Sequence, residues 1–444
     1  MTTYKSTRGA VRGASFEEVV LGGLAPDRGL YVPESVPTFT AAEIEGLRGK
    51  SFADIAFAIQ SKFIPESEIP AADLKDIIQR STTAFREEAV TPCVRTGNFW
   101  TLELFHGPTF AFKDVALQEL GNLFEYFIAR KTKPEEQRLT IMGATSGDTG
   151  SAAIYGLRGK KGVNCFILYP KGRVSLIQEQ QMTTVPDENI HCLRVDGTFD
   201  DAQDIVKSAF MDVEFRNRVK LGAVNSINWA RVLAQITYYF AAYYQVTPAG
   251  STEPISFSVP TGNFGDILAG YYAKRMGLAV GKLVVGTNEN DILDRFFKTG
   301  EYVKESIHAT ISPSMDICVS SNFERYLFHV FGDDPEVLKS LMEGFEGSGK
   351  PVATPMGSSE KSKLVVTSKT LQKAQADFAS ERAPTRDTLD VIRQYNDKHQ
   401  YLYCPHSAVG VVAAIKLGMD NTSMVRLHSS FAILAMLPLP LLAI

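Results

Sequence analysis

Apolar positions in the first ninety or so residues recur at helical spacing. Phe52–Phe63 places Ile55, Phe57, Ala58 and Ile59 on successive turns, and Ala72–Ser81 carries a second such pattern, which predicts an N-terminal helical unit. From about residue 98 the period changes. Short β-type runs now alternate with helical stretches: Trp100–Phe105 then Val115–Ala129, Leu139–Met142 then Ser151–Arg158, and Asn164–Tyr169. Strand and helix in alternation predict an α/β fold, a parallel sheet with helices on both faces, whose ligands lie beyond the C-terminal strand ends. Val224–Tyr244 opens polar and becomes a long apolar helix. Gly347–Glu360 (GSGKPVATPMGSSE) is rich in Gly, Pro and Ser and reads as a surface loop or insertion.

Three segments bear on chemistry. Phe105–Asp114 (FHGPTFAFKD) sets Lys113 among Phe110, Ala111 and Phe112 after a Gly-Pro turn. A lysine in apolar surroundings titrates downward, which frees its amine for general-base work or for a Schiff base with a carbonyl cofactor; the plainer reading is a surface lysine that follows two phenylalanines. Met142–Ser151 (MGATSGDTGS) reads as strand, tight turn and helix start, with Gly143, Gly147 and Gly150 permitting close approach and Ser146, Thr149 and Ser151 supplying hydroxyls. It is neither a Walker loop nor a dinucleotide fingerprint. Phe257–Leu268 (FSVPTGNFGDIL) is a second strand-to-helix turn, leading into a helix over Asp266–Met276. Gly262, Asn263, Phe264 and Gly265 could present successive backbone amides to a phosphate there; the alternative is a turn capped by Asp266. An apolar lysine and two glycine-rich anion cradles are what a pyridoxal phosphate enzyme needs.

Size and charge narrow the classes. A chain of 444 residues predicts two or three domains with an ample core. A net charge of -4 with its 46 basic residues spread out gives no general attraction to nucleic acid or anionic membrane. The five cysteines, Cys93, Cys165, Cys192, Cys318 and Cys404, form no C-x-x-C pair, so reduced thiols are expected. The seven histidines show no metal-ligand spacing, and no metal is expected. His106 sits beside the lysine segment, as a strand-end histidine with a local hydrogen bond or as a group near the cofactor. Neither a signal-peptide core nor an apolar run of membrane-spanning length occurs, which makes the cytoplasm the simplest compartment.

FHGPTFAFKD, GATSGDTG and SVPTGNFGDILAGYYAKRMGL, with NENDIL soon after, resemble threonine synthases of the long form found in fungi and many bacteria. YKSTRG and SFEEVVLGGLAPDRGLYVP near the start are similar to that family's N-terminal signature, and the resemblance runs from about residue 4 to about residue 418. It implies pyridoxal phosphate fold type II, tryptophan synthase beta-like, with an N-terminal domain over 1–95, a large cofactor-binding domain over 96–135 and 241–444, and a small substrate-loop domain over 136–240. It implies conversion of O-phospho-L-homoserine and water to L-threonine and phosphate, by γ-elimination and β-hydration. Lys113 would hold the cofactor as a Schiff base and shuttle protons at Cα and Cβ. Gly262, Asn263, Phe264, Gly265 and Asp266 would hold the cofactor phosphate. Thr145, Ser146, Gly147, Asp148 and Thr149, with Asn225, Ser226, Asn228 and Arg231, would meet the substrate. An aspartate at 148 would repel a carboxylate unless it faces away or bonds a hydroxyl, and Asp114 would orient local structure. A monomer or homodimer is expected. A threonine or serine dehydratase of the same fold, and a non-catalytic homologue, are the alternatives.

The family's Ser-Thr-Ala-His-Pro segment, whose hydroxyl meets the pyridine nitrogen, has no counterpart in MVRLHSSFAILAMLPLPLLAI. RLHSS could be encoded by CGT CTC CAC AGC TCA, which read one base later gives Val-Ser-Thr-Ala-His. A change of reading frame is the expectation, with Ser429 or Ser430 as the substitute partner if the tail is native.

Overall fold

The computed structural model describes residues 2–145, 147–222 and 224–419, and the backbone of 424–428. Ser146, Ser429 and Ser430 lie outside the described residues.

The N-terminal segment is not purely helical. Its helices Phe16–Gly22, Ala41–Gly46, Phe52–Gln60 and Ala71–Thr82 accompany an antiparallel pair, β1 (Tyr4–Ser6) and β2 (Tyr31–Pro33). Ser15 and Glu18 form a reciprocal capping box that starts the first helix. The buried Arg8 guanidinium reaches across to Glu324 at 2.8 Å, and Thr7 donates to the same carboxylate at 2.7 Å.

Three further sheets follow. The largest joins β3 (Cys93–Thr96), β4 (Phe99–Glu103), β9 (Ile255–Pro260), β10 (Val280–Thr287), β15 (Phe378–Arg382) and β16 (Met424–His428) in the order β15-β10-β9-β16-β4-β3. All neighbours run parallel except β3 against β4. Phe257, Val259, Leu283, Val284 and Val285 are wholly buried, the near-continuous apolar run of a parallel sheet covered on both faces. A second parallel sheet joins β5 (Leu139–Ala144), β6 (Val163–Pro170), β7 (Ile190–Val195) and β8 (Leu221–Gly222) in the order β7-β6-β5-β8.

The third sheet corrects one expectation. β11 (Glu301–Val303), β12 (Val352–Thr354), β13 (Gly357–Glu360) and β14 (Lys363–Val366) form an antiparallel meander, so the stretch 347–360 is largely a hairpin rather than a loop. Its Pro and Gly residues mark a tight turn between short strands, where composition hides the pairing.

Helix boundaries differ by a few residues from the apolar pattern. The helix expected from Val115 begins at Lys113 and runs to Ala129, and that expected from Ser151 begins at Asp148 and runs to Leu157. The two cross closely. A Cβ on Gly121 would lie 1.9 Å from the carbonyl oxygen of Gly156, and one on Gly156 would lie 2.4 Å from that of Leu117. This contact fixes the lysine turn against the turn that follows β5. Gly121→Ala forces the helices apart and lowers stability by about 1–3 kcal/mol, read as a fall in the thermal unfolding midpoint.

Candidate active site

Four turns at C-terminal strand ends meet at one place: those after β4, β5, β9 and β10. Lys113 opens the helix after β4 and is 8% exposed, with its ammonium 4.9 Å from the centre of the Phe112 ring. Burial pushes its amine below the ordinary lysine range; Asp148 opposes that shift, and the Arg231 guanidinium reinforces it. The turn before it is stapled from within. Asp114 accepts from the Thr109 backbone at 2.8 Å and its hydroxyl at 2.7 Å, in space that a Cβ on Gly107 would fill, and burial raises its carboxyl to about 6. Phe110 takes a left-handed φ of 59° with its ring 4.1 Å from the Arg86 guanidinium. Asp114 therefore shapes the turn. His106 lies 2.8 Å from Glu103, which also accepts from Tyr401 at 2.7 Å.

The turn after β9 is an open helix start. Phe264 is the N-cap, left-handed at φ 63°, with no side-chain cap. Among the described residues, none accepts from the amides of Gly262, Asn263, Phe264 or Gly265. Such amides at a helix N-terminus suit an anion. A Cβ on Gly262 would lie 3.2 Å from Met315 Cα and 3.3 Å from the Ser314 carbonyl, so a side chain there fits only if that backbone gives way. Asp266 neither caps nor faces the cradle: its carboxylate accepts from Tyr238 at 2.6 Å and Tyr239 at 2.9 Å, and burial raises it to about 6. The Phe264 ring is buried against Phe323 and Phe378, so this residue offers only its amide.

In the turn after β5, Thr145 Oγ1 accepts from the amides of Gly147 at 3.0 Å and Gly150 at 2.8 Å and so organises the helix start. Asp148 accepts from Ser314 Oγ at 2.6 Å and from Gln178 Nε2, and its carboxylate lies 3.7 Å from Lys113 Nζ. The aspartate thus bonds a hydroxyl and faces the lysine. Although burial works against ionisation, Lys113 and His406 hold its carboxyl below the usual range. Thr149 is half-buried beside it.

The polar segment before the helix Trp229–Val246 divides. Asn228 is buried and committed at both ends, donating to Val20 O at 2.9 Å and accepting from Ala230 N at 3.1 Å, which makes it that helix's cap rather than a ligand. Asn225 is exposed, and the Ser226 hydroxyl lies 3.3 Å from that of Ser321. Arg231 is 4% exposed, its Nε has no hydrogen-bond partner, and among the described residues it forms no ion pair. Burial lowers its guanidinium to about 10. A buried cation without a carboxylate is a place for an anion.

Several residues had no signal in the sequence. Ser320 donates to Gly262 O at 2.7 Å, and Asn322 donates to Asn263 O at 3.0 Å and Ser226 O at 3.2 Å, bracing the cradle from behind. Arg325 donates to Asn322 Oδ1 and Ile227 O at 2.6 Å each and to Tyr31 O at 2.9 Å. His406, in the first turn of the helix Pro405–Lys416, accepts from Ser314 N at 3.2 Å. The Pro after Cys404 marks that helix start, but nothing in the sequence brings it to Ser314.

Among the described residues no group of His, Cys, Asp and Glu could hold a metal ion, and no helix is long and apolar enough to cross a membrane. Residues 3–82 match the family described as threonine synthase N terminus, and residues 84–347 match the family described as pyridoxal-phosphate dependent enzyme. A threonine synthase of Schizosaccharomyces pombe is 51% identical over 440 residues, covering 93% of this chain and 83% of the relative. The crystal structure of a pyridoxal phosphate-bound threonine synthase from Brucella melitensis superposes with a TM-score of 0.90 at 43% identity, covering 97% of this chain and 89% of that one. The yeast threonine synthase structure gives 0.89 at 48% identity, covering 96% and 87%. With the N-terminal and the cofactor-binding family both matched and a relative near half identity over 93% of the chain, the chain belongs to the threonine synthase family.

Proposed function

We propose that Lys113 and the turns around it carry the family's reaction in this chain, the conversion of O-phospho-L-homoserine and water to L-threonine and phosphate with pyridoxal phosphate as cofactor. The observation that carries the assignment is the buried, down-shifted Lys113 amine, on which the Arg231 guanidinium also acts, together with an open helix N-terminus at Phe264; among the described residues Arg231 forms no ion pair. The residues fit the cofactor. The amides of Gly262, Asn263, Phe264 and Gly265 would take its phosphate, where side chains are excluded and the helix dipole adds to the attraction. When bound, pyridoxal phosphate withdraws electrons and so acidifies the substrate's Cα and Cβ protons.

The protein's own groups do the rest. Lys113 Nζ, kept easily deprotonated by burial, accepts and returns protons at those carbons. Arg231 holds an anionic group of the substrate. Thr149, Asn225 and Ser226 would offer hydroxyls or an amide to its polar ends, while Thr145 and Gly147 hold the turn in shape. Asp148 keeps a negative charge facing Lys113.

Equal molar yields of phosphate and threonine from O-phosphohomoserine, with no 2-oxo acid formed from added threonine, test the reading against a dehydratase of the same fold. The cradle has its own test. Gly262→Ala weakens cofactor binding by about 1–3 kcal/mol, measured by titrating the purified protein with pyridoxal phosphate, because the new methyl must displace the backbone of residues 314 and 315.

A further inference from the structure

A line of polar groups runs from the helix Pro405–Lys416 to the lysine nitrogen, and the reaction as described uses only its last two members, Asp148 and Lys113. His406 Nε2 accepts from the backbone N–H of Ser314 at 3.2 Å. Ser314 Oγ donates to Asp148 Oδ2 at 2.6 Å, and the same oxygen lies 3.7 Å from Lys113 Nζ. Gln178 Nε2 secures the other carboxylate oxygen. Resting on the functional reading above, we propose that His406 is a positioning residue for Lys113, acting through Ser314 and Asp148.

The placement of Ser314 supports this. It sits in the short 3-10 turn Pro313–Met315, backed against Gly262 of the cofactor cradle. The foot of the turn is fixed by the NENDIL asparagines: Asn288 donates to Asp316 at 2.7 Å and to Ser312 Oγ at 2.9 Å, and Asn290 donates to Asp316 at 3.0 Å. The tip is held by His406. Nε2 accepts there, so this bond belongs to the form protonated on Nδ1 alone, on the side of Cys404. Burial opposes charge on the ring, but Cys404 and Asp148 outweigh it and raise its pKa above the ordinary histidine range, which puts the bond on the high-pH side of that titration. Lys113 faces Asp148, Asp114 and Arg231; His406 faces Cys404, Asp148 and Lys113. Only Asp148 belongs to both sets and is joined to His406 through hydrogen bonds.

Removing the imidazole releases the Ser314 N–H, frees the hydroxyl to turn away, and lets the Asp148 carboxylate leave its station. The lysine nitrogen then loses the nearby negative charge that favours its protonated form. The reporter is the absorbance of the cofactor-loaded enzyme titrated with pH, whose midpoint follows protonation at the Lys113 nitrogen. In Asp148→Asn that midpoint falls by about 1 unit or more. In His406→Leu and in Ser314→Ala it falls by part of that amount. His406→Gln, whose amide oxygen can accept from the same N–H, restores it. His406→Leu placed in the Asp148→Asn background moves it no further, because both act on one link. Midpoints of His406→Leu and Ser314→Ala that coincide with the parent, or an equal His406→Leu shift without the Asp148 carboxylate, would overturn the proposal. Absence of any cofactor band in the parent protein would instead overturn the functional reading on which it rests.

Discussion

Replacing Lys113 with alanine lowers threonine formation by about 10³-fold or more while leaving the protein folded. General acid–base transfer by one positioned group is worth about 10²–10⁴-fold, and here one amine serves both carbons from which protons move. Lys113→Arg fails equally, since a guanidinium does not give up its proton near neutrality and cannot take one from carbon. Stability moves differently. The amine is buried and pushed down in pKa, which means the fold works against its charge, so the alanine protein loses little and its unfolding midpoint stays close to that of the parent. Phosphate and threonine assays together with thermal unfolding check this pair of outcomes. Retained turnover in Lys113→Ala would remove the assignment outright.

Arg231→Met yields the second large effect, and its two halves have opposite signs. Loss of the guanidinium lowers kcat/KM by about 10²-fold or more, within the range for removing one partner of a buried charged pair. The same change raises stability by about 1–4 kcal/mol, as when buried ions are replaced by apolar side chains of similar volume. The arginine is a buried cation with an unpartnered Nε and, among the described residues, no carboxylate opposite. Its cost in the free protein is returned only when an anion arrives. Denaturant unfolding and steady-state kinetics on the same preparation decide it. A less stable but fully active Arg231→Met would make the residue a core brace.

How much of this was legible beforehand follows the range of the physics involved. The strands and helices from residue 98 onward show in local periodicity, and the two glycine-rich turns show in composition; the structure adds the reasons, a positive φ of 139° at Gly147 and a backbone 3.2 Å from a Cβ on Gly262. The hairpin at 352–360 was hidden because its strands are short and its composition is that of a turn. Asp148 could be flagged as awkward beside an anion, but its partners Ser314 and Gln178 are 166 and 30 residues away, and no local rule joins them. Asn228 and Asp266 were expected as ligands from the family resemblance alone, since a polar residue at a helix start suits either capping or binding. The first is committed to Val20 O and Ala230 N and the second to two tyrosine hydroxyls, which only the tertiary arrangement decides.

The guanidinium of Arg325 ties Tyr31 O, Ile227 O and Asn322 together, across a separation of 294 residues from the first of these. On a ribosome adding about 5–20 residues per second, the carbonyl of Tyr31 waits on the order of 15–60 s before its partner has even been made. The beginning of the chain therefore cannot reach its final docking while it emerges. The brace behind the turn after β9 closes only when most of the protein is out of the tunnel, which leaves a nascent chain dependent on whatever shields its first strands until then.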